Sequence, residues 1–229
     1  MRFGIRTFGT VSLRINPSSD TKTVGVLDTG SSNVKAVMRS LSSSGFTRSL
    51  IPLDGPHLTH YDCVILPGVG NFGFVMGELE RSGKAAWLRE LHHAGTPILG
   101  ICLGAQLLFD SSEEAPGVRG FGFIQGVVKR LPKHEDTRVP HMGWNEVWLE
   151  NSEVFELQKL NGKSFYFAHS YHFTPERDSE LIAFVNQGET ICAIAGSKSC
   201  LAIQFHPEKS GKSGQDALRR GLEWLFRVD

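Results

Sequence analysis

The chain has 229 residues, of which 40% are hydrophobic and 21% are charged, and its 24 basic residues balance its 24 acidic residues. This length and composition are typical of a globular protein with one large α/β domain or two small ones. A formal net charge of zero gives no overall field that would attract nucleic acid or a membrane surface, so we expect neither as a partner.

The four cysteines are scattered along the chain. None forms a Cys-x-x-Cys pair or has zinc-finger spacing to a histidine pair, so we expect no metal site. Scattered cysteines are typical of a reducing compartment, in which one of them is available as a catalyst, and we expect a cytoplasmic protein. No apolar run approaches the roughly 20 residues that a membrane span requires. The cysteines are Cys63, Cys102, Cys192 and Cys200.

The first 22 residues contain three arginines and no acidic residue before Asp20. This pattern faintly resembles an organelle presequence, and it lacks the continuous apolar core of a secretory signal. We predict a disordered extension over residues 1–22, or a start codon placed too early, in front of a domain that spans residues 23–229.

Short apolar strands alternate with amphipathic helices in the first half of the chain. Strands that are apolar on both faces indicate a mostly parallel sheet that helices cover on both sides, which is an α/β fold. Ligands of such sheets gather at the carboxyl ends of the strands, where Asp28, Pro67–Gly68 and Cys102 are expected to converge. The predicted elements are strand Thr23–Asp28, helix Asn33–Leu41, strand Cys63–Leu66, helix Trp87–His93 and strand Pro97–Ile101.

The second half of the chain is predicted to be rich in β-strands. A final helix is predicted from about Gln215 to Phe226, and without an internal repeat or a low-complexity linker, one domain is the simplest account. The predicted strands are Phe121–Leu131, Arg138–Trp148, Ser164–Phe173, Leu181–Asn186, Ile191–Ala195 and Leu201–Phe205.

The segment Gly100–Gly104 (GICLG) joins the strand Pro97–Ile101 to a helical sequence that begins near Ala105. A nucleophile held on a sharp turn between a strand and a helix needs small residues on both sides, and Gly100 and Gly104 provide them around Cys102. The following helix is expected to point its N-terminus at the thiol, which favours the thiolate. A buried structural cysteine in a tight turn is the alternative for this motif alone.

A histidine and a glutamate, His206 and Glu208, follow the last predicted strand. Residues two apart in an extended chain point to the same side, so the carboxylate can hold the imidazole in one tautomer. A cysteine, a histidine base and an acid that orients the base form a catalytic triad in the general sense.

A glycine-rich loop, residues 66–73 (LPGVGNFG), follows the strand that begins at Cys63. It lacks the Gly-Lys-Ser/Thr ending of a phosphate loop and the complete Gly-x-Gly-x-x-Gly pattern, so nucleotide binding is disfavoured. Glycines that leave backbone N–H groups accessible also suit an oxyanion hole. An ordinary turn between a strand and a helix is the alternative.

From about Val24 to its C-terminus, the chain resembles the class I glutamine amidotransferases. The cysteine turn and the His-Pro-Glu segment carry the resemblance to the class, while two other segments narrow it to the glutaminase subunits of imidazole glycerol phosphate synthases. The segments concerned are 66–70 (LPGVG), 99–108 (LGICLGAQLL), 140–145 (PHMGWN), 165–171 (FYFAHSY) and 204–211 (QFHPEKSG).

The resemblance implies a fold, a reaction and a set of site residues, with no cofactor. Glutamine is hydrolysed to glutamate and ammonia through a thioester on Cys102, with His206 as the base and Glu208 orienting it. The backbone N–H groups of Val69 and Leu103 form the oxyanion hole. The residues that hold glutamine are Gly70, Gln106, Ser170 and Tyr171.

The resemblance also implies a heterodimer with a (β/α)8-barrel cyclase subunit, which uses the ammonia to make imidazole glycerol phosphate and AICAR in histidine biosynthesis. Positions Trp144 and Lys209 match the contact with that subunit. Taken alone, a tryptophan such as Trp144 at the end of a strand is more often a core aromatic than an interface anchor, and a solvated loop charge is the alternative for Lys209. Residues 28–34 (DTGSSNV) lack the second glycine of many relatives in a loop expected to face the partner, which leaves the partner's identity open.

Two other functions remain open. A related amidotransferase subunit that supplies ammonia to a surface-polysaccharide amino-sugar pathway has nearly the same motifs. A non-catalytic interaction protein on the same fold is disfavoured because the cysteine, histidine, glutamate and both turn glycines are present.

Overall fold

The structure is a computed structural model that describes residues 21–30, 32–55, 60–133, 137–150 and 154–227. Apart from Thr21 and Lys22, the extension predicted over residues 1–22 lies outside the described residues, so this boundary stays a prediction. Within the described part of the chain, none of the helices combines the length and the apolar character that crossing a membrane demands.

Strands and helices alternate through the first half of the described chain, and strands dominate the second half. The strands are β1 (Thr23–Leu27), β2 (Thr47–Ile51), β3 (Cys63–Gly68), β4 (Ile98–Cys102), β5 (Ser111–Ser112), β6 (Gly126–Arg130), β7 (His141–Leu149), β8 (Lys163–His169), β9 (Tyr171–Pro175), β10 (Leu181–Asn186), β11 (Thr190–Ser197) and β12 (Cys200–Ile203). The α-helices are α1 (Val34–Ser40), α2 (Phe72–Arg81), α3 (Lys84–His93), α4 (Leu103–Gln106) and α5 (Gly211–Leu225).

A nine-stranded sheet, in the order β2-β1-β3-β4-β12-β11-β10-β7-β8, forms the centre of the molecule. The strands from β2 to β12 in this order run parallel, and the remaining pairs are antiparallel. A smaller sheet contains β5, β6 and β9. The α/β fold class predicted from the sequence is confirmed, with the β-rich second half supplying the antiparallel strands.

Two apolar cores lie on opposite faces of the large sheet. Apolar side chains of α1 and α5 pack with one face, and those of α2, α3 and α4 pack with the other. The strands in the middle of the sheet, β3, β4 and β12, are buried throughout. Their continuous apolar runs therefore arise because helices cover both faces.

Strand β2 and helix α2 of the first half were not predicted from the sequence. Strand β2 (TRSLI) lies at the edge of the sheet and is largely solvent-exposed, so it lacks the continuous apolar run of its neighbours. Helix α2 contains Gly73 and Gly77. Gly73, in its first turn, also belongs to the glycine-rich sequence 66–73, which was predicted to be a loop. Four apolar side chains of α2 are nevertheless buried, and tertiary packing outweighs the low helix propensity of glycine.

Two predicted strands of the second half were wrong in their bounds. The segment predicted as one strand, Ser164–Phe173, is two strands that belong to different sheets and meet at Ser170. The strand predicted over Phe121–Leu131 is shorter, because the residues before Gly126 bond instead to the turn after α4, with the Phe121 N–H donating to the Leu107 carbonyl at 2.8 Å.

Candidate active site

Cys102 is the last residue of β4 and directly precedes α4. Its backbone has φ +53° and ψ −111°, a conformation that a residue with a side chain rarely adopts. The surrounding packing holds it there and leaves the side chain 5% exposed on the wall of a pocket. A cysteine on a sharp turn between a strand and a helix is the geometry that the sequence predicted here.

Glycines permit the close approach of β3, β4 and α4 around this turn. A Cβ atom at Gly104 would lie 1.8 Å from the Leu66 carbonyl oxygen, and one at Gly100 would lie 2.5 Å from the Ala105 Cα atom. These are backbone atoms that cannot move aside. The two glycines named from the sequence are therefore required by packing as well as by the turn.

The helix after Cys102 is shorter than the sequence suggested. Helix α4 contains only four residues, and the chain then turns, with the Leu108 carbonyl accepting from the Phe123 N–H at 2.8 Å. Few peptide dipoles are therefore aligned behind the sulfur, so the helix dipole stabilises negative charge on the sulfur less than the sequence suggested. Side chains of the segment that follows β12 supply the main polar contacts of the sulfur.

His206 and Glu208 lie in the segment that follows β12. His206 Nδ1 is 2.8 Å from Glu208 Oε1, and both side chains are almost completely buried. The His206 N–H donates to the Tyr166 carbonyl at 2.8 Å, and Ser210 Oγ donates to the His206 carbonyl at 2.7 Å. These bonds fix the segment against β8, so the carboxylate sets the orientation of the ring.

The electrostatic environment of His206 couples it to Cys102. Burial by itself lowers the pKa of the imidazole, but a thiolate at Cys102 and the Glu208 carboxylate raise this pKa to about 10. His206 Nε2 makes no well-formed hydrogen bond to any described residue, so the sulfur acts on it mainly as a nearby charge. The environment therefore favours the protonated imidazole of His206.

A cavity of about 260 Å³ opens beside the sulfur. Gly70 lines this cavity and has φ +104°, a backbone conformation that residues other than glycine rarely adopt. A glycine at this position therefore permits the turn of the glycine-rich loop. Six residues predicted from the sequence as an oxyanion hole or as glutamine ligands line the cavity with Cys102, and they are Val69, Gly70, Leu103, Gln106, Ser170 and Tyr171.

The break between β8 and β9 explains how Ser170 and Tyr171 reach the cavity. Ser170 lies between strands of two different sheets, and its carbonyl accepts from the Leu131 N–H at 2.9 Å. The Tyr171 carbonyl accepts from Gln106 Nε2 at 2.8 Å and lies 2.9 Å from His169 Nδ1. The chain therefore passes from one sheet to the other at the cavity wall. The spacing of apolar residues in the sequence did not indicate this change.

Sequence reasoning missed Glu114, which also lines the cavity. Its Oε2 atom accepts from the Phe72 N–H at the start of α2 at 2.7 Å, so the carboxylate is fixed close to the glycine-rich loop. Glu114 lies in a turn after β5, outside every motif, and no spacing rule identifies it. Met142 of β7 was also missed; it lines the cavity and is 65% exposed.

Trp144 and Lys209 lie outside the cavity, on an outer face next to it. Trp144 is 60% exposed and makes an edge contact with Tyr166, with ring centroids 6.2 Å apart. Lys209 Nζ lies 5.5 Å from the centroid of the same tyrosine ring. These three side chains and Met142 form a partly apolar surface, which we call the Trp144 face.

The chain is similar to known proteins over most of its length. The family described as glutamine amidotransferase class-I matches residues 25–223. The imidazole glycerol phosphate synthase subunit HisH of Prochlorococcus marinus is 40% identical over 206 residues, which cover 88% of this chain and 94% of that protein. The chloroplastic imidazole glycerol phosphate synthase hisHF of Arabidopsis thaliana is 39% identical over 93% of this chain but only 36% of its own length.

A solved structure described as a glutamine amidotransferase has a TM-score of 0.69 at 20% identity and covers 89% of this chain and 98% of its own. This likeness supports the fold, while the relatives at about 40% identity define the family. The resemblance found from the motifs is confirmed, and the chain belongs to the class I glutamine amidotransferases, among the HisH subunits of imidazole glycerol phosphate synthase.

Proposed function

We propose that this chain hydrolyses glutamine and delivers the ammonia to a cyclase subunit in histidine biosynthesis. The observation that carries the proposal is the position of Cys102 on a strained turn, at the wall of a cavity, next to a buried His206–Glu208 pair. The names of the relatives favour this function over the amino-sugar pathway. The complete set of catalytic side chains argues against a non-catalytic interaction protein.

In the proposed reaction, the Cys102 thiol gives its proton to His206 Nε2 and the sulfur attacks the amide carbon of the glutamine side chain. The N–H groups of Val69 and Leu103 stabilise the oxyanion that forms. His206 then returns the proton to the leaving nitrogen, and ammonia departs. Water hydrolyses the resulting thioester, which restores the thiol and releases glutamate.

The cavity provides the polar groups that a free amino acid requires. We assign the α-ammonium group of glutamine to Glu114, since its carboxylate is the acidic side chain at the cavity wall. Gly70, Gln106, Ser170 and Tyr171 hold the remainder of the substrate. A carboxylate in this position favours free glutamine over a glutaminyl residue within a peptide, which has no α-ammonium group.

We infer that a (β/α)8-barrel cyclase subunit docks on the Trp144 face. Met142 belongs to both the cavity wall and this face, so the cavity opens next to the surface where a partner would receive ammonia. Exposed Trp and Met side chains are enriched at protein interfaces. The Arabidopsis relative is much longer than this chain, and its additional length leaves room for a second unit. The four free cysteines support a cytoplasmic location.

The proposal is tested with the full chain and the cyclase subunit. Cys102→Ala is expected to abolish glutamine-dependent product formation and to leave ammonia-dependent formation intact. Cys192→Ala, which changes another buried cysteine, serves as the matched control. Glutamine hydrolysis that persists in Cys102→Ala contradicts the mechanism, and the same activity with and without the cyclase contradicts the partnership.

A further inference from the structure

We propose that Gln204 is a catalytic residue whose side-chain amide donates a hydrogen bond to the Cys102 sulfur and stabilises the thiolate. This inference rests on the proposed function, because it concerns the same nucleophile. Gln204 Nε2 lies 3.8 Å from Cys102 Sγ, a distance at which a large sulfur atom accepts a hydrogen bond.

The register of the sheet brings these two residues together. Ile203, the last residue of β12, pairs with Ile101 of β4 in a parallel arrangement. The residues that follow the pair are Gln204, directly after β12, and Cys102, at the end of β4. The Gln204 N–H donates to the Ala193 carbonyl at 2.9 Å, which holds the backbone of Gln204 against β11. The amide group therefore reaches the sulfur from a backbone position that this hydrogen bond to β11 fixes.

A chain of hydrogen bonds fixes which end of the amide faces the sulfur. The Tyr171 carbonyl can only accept, so the Gln106 atom 2.8 Å from it is the nitrogen. The same Gln106 nitrogen donates its second proton to Gln204 Oε1 at 3.2 Å. The oxygen of the Gln204 amide thus faces Gln106, and its nitrogen faces Cys102.

Burial makes this donor favour the charged form of the nucleophile. Gln204 is completely buried, so an N–H group that points at the sulfur has no access to solvent. A hydrogen bond to a neutral thiol compensates poorly for the loss of water, whereas a hydrogen bond to a thiolate is charge-assisted and stronger. The fixed amide therefore adds to the effect of His206 and favours loss of the thiol proton.

The test measures alkylation of Cys102 by iodoacetamide across pH 5.5–9 in the full chain, with the modified residue identified by mass spectrometry. Only the thiolate reacts at a useful rate. The other three cysteines are buried, and burial raises the pKa of the thiols of Cys63, Cys192 and Cys200, so they react slowly.

Gln204→Leu keeps the approximate volume and removes the donor. We expect the pH of half-maximal alkylation to rise by about one unit and the rate at pH 7 to fall about tenfold. Gln204→Glu keeps the shape and the acceptor for Gln106 but places a carboxylate beside the sulfur, so a larger upward shift is expected. Gln215→Leu, on the exposed surface of α5, is the matched control and should leave the profile unchanged.

A purely structural role of Gln204 would lower the melting temperature without moving the pH profile. Profiles of Gln204→Leu and Gln204→Glu that superpose on the wild-type profile overturn the inference, and if the leucine variant does not fold, the glutamate variant decides alone. If Cys102 of the wild type is alkylated and both Gln204 variants have the wild-type pH profile, only the role of Gln204 is rejected. A wild-type Cys102 that does not react at any pH rejects the proposed nucleophile as well.

Discussion

His141 and His169 face each other across the paired strands β7 and β8, with Nδ1 of His141 3.0 Å from Nε2 of His169. The Tyr171 carbonyl can only accept, so His169 Nδ1, 2.9 Å away, carries a proton. His169 Nε2 is then the acceptor for His141 Nδ1, and His141 Nε2 accepts from Asn145 Nδ2 at 3.4 Å. This alternation requires both rings to be neutral.

The pKa values of the two rings agree with this arrangement. Burial lowers the pKa of His141 to about 4, and burial together with the neighbouring His141 lowers that of His169 to about 3. A proton added to either ring would bring two N–H groups together. The same Tyr171 carbonyl holds Gln106, so the histidine pair supports a wall of the cavity beside Cys102.

Stability is expected to fall as the pH falls from 6.5 towards 4. In this window the unfolded chain binds protons at His141 and His169 with a pKa near 6.5, while the folded rings stay neutral. Each histidine then lowers the free energy of unfolding by up to about 1.4 kcal/mol per pH unit. Urea denaturation at pH 6.5, 5.5 and 4.5 measures the effect.

The variant His141→Gln removes one of these titrating groups and should reduce the loss of stability between pH 6.5 and 4.5 by about 2 kcal/mol. His93→Gln, at an exposed position of α3, is the control and should follow the wild-type curve. Parallel curves for wild type and His141→Gln would mean that the pair is protonated in the folded protein.

The pKa of His206 is expected to depend on the sulfur of Cys102. Cys102→Ser removes the sulfur that helps to raise the pKa of His206, so burial is opposed only by Glu208 and this pKa should fall by about one to three units. Titration of the imidazole signals by NMR measures this value. Cys192→Ser, which alters a cysteine on β11, should leave the His206 titration in place, and an unchanged value in Cys102→Ser would show that no thiolate acts on the ring.

The turn glycine Gly104 is expected to tolerate no side chain. In Gly104→Ala the new methyl group meets the Leu66 carbonyl oxygen, and we expect a loss of about 3 kcal/mol or more in the free energy of unfolding. Gly77→Ala is the matched control, because a Cβ atom at this exposed helical position has no neighbour within 4 Å among the described residues. It should stabilise the protein by about 0.5–1 kcal/mol. Equal effects of the two substitutions would contradict the packing argument.

Trp144→Ala is expected to weaken the complex with the cyclase tenfold or more and to leave the stability of the isolated chain nearly unchanged, because the side chain is mostly exposed. Isothermal titration calorimetry of the two subunits measures the affinity. Trp148→Ala, four residues further along β7 and 40% exposed, is the control. A loss of affinity only in the Trp148 variant would place the partner elsewhere on this strand.

Much of the site was predictable because its residues occur in compact motifs. The turn Gly100–Gly104 predicted a nucleophile between a strand and a helix, and the two-residue spacing of His206 and Glu208 predicted their contact. These features depend on local backbone geometry, which neighbouring residues determine. The convergence of three strand ends followed from the parallel sheet that the apolar runs indicated.

Other parts of the site were not predictable, because they depend on residues that are distant in the chain. Glu114 is held at the cavity by the hydrogen bond that it accepts from the Phe72 N–H. No sequence pattern links these two residues, so their contact could not be predicted. The break at Ser170 lies inside a segment whose sequence predicted a single strand, and pairing with two different sheets decides it. The edge strand β2 lacks a continuous apolar run, so it is recognised as a strand only from its pairing with β1 in the structure.

The amino-acid order by itself determined the fold class, the cysteine turn and the contact between His206 and Glu208, since each depends on patterns of residues close together along the chain. Only the tertiary structure decided which groups meet the sulfur from other strands: the register of β12 against β4 sets Gln204 beside Cys102, and hydrogen bonds fix the direction of its amide. The physical reason is that register and hydrogen-bond direction are properties of the assembled sheet, where buried polar groups must find partners that no local pattern specifies.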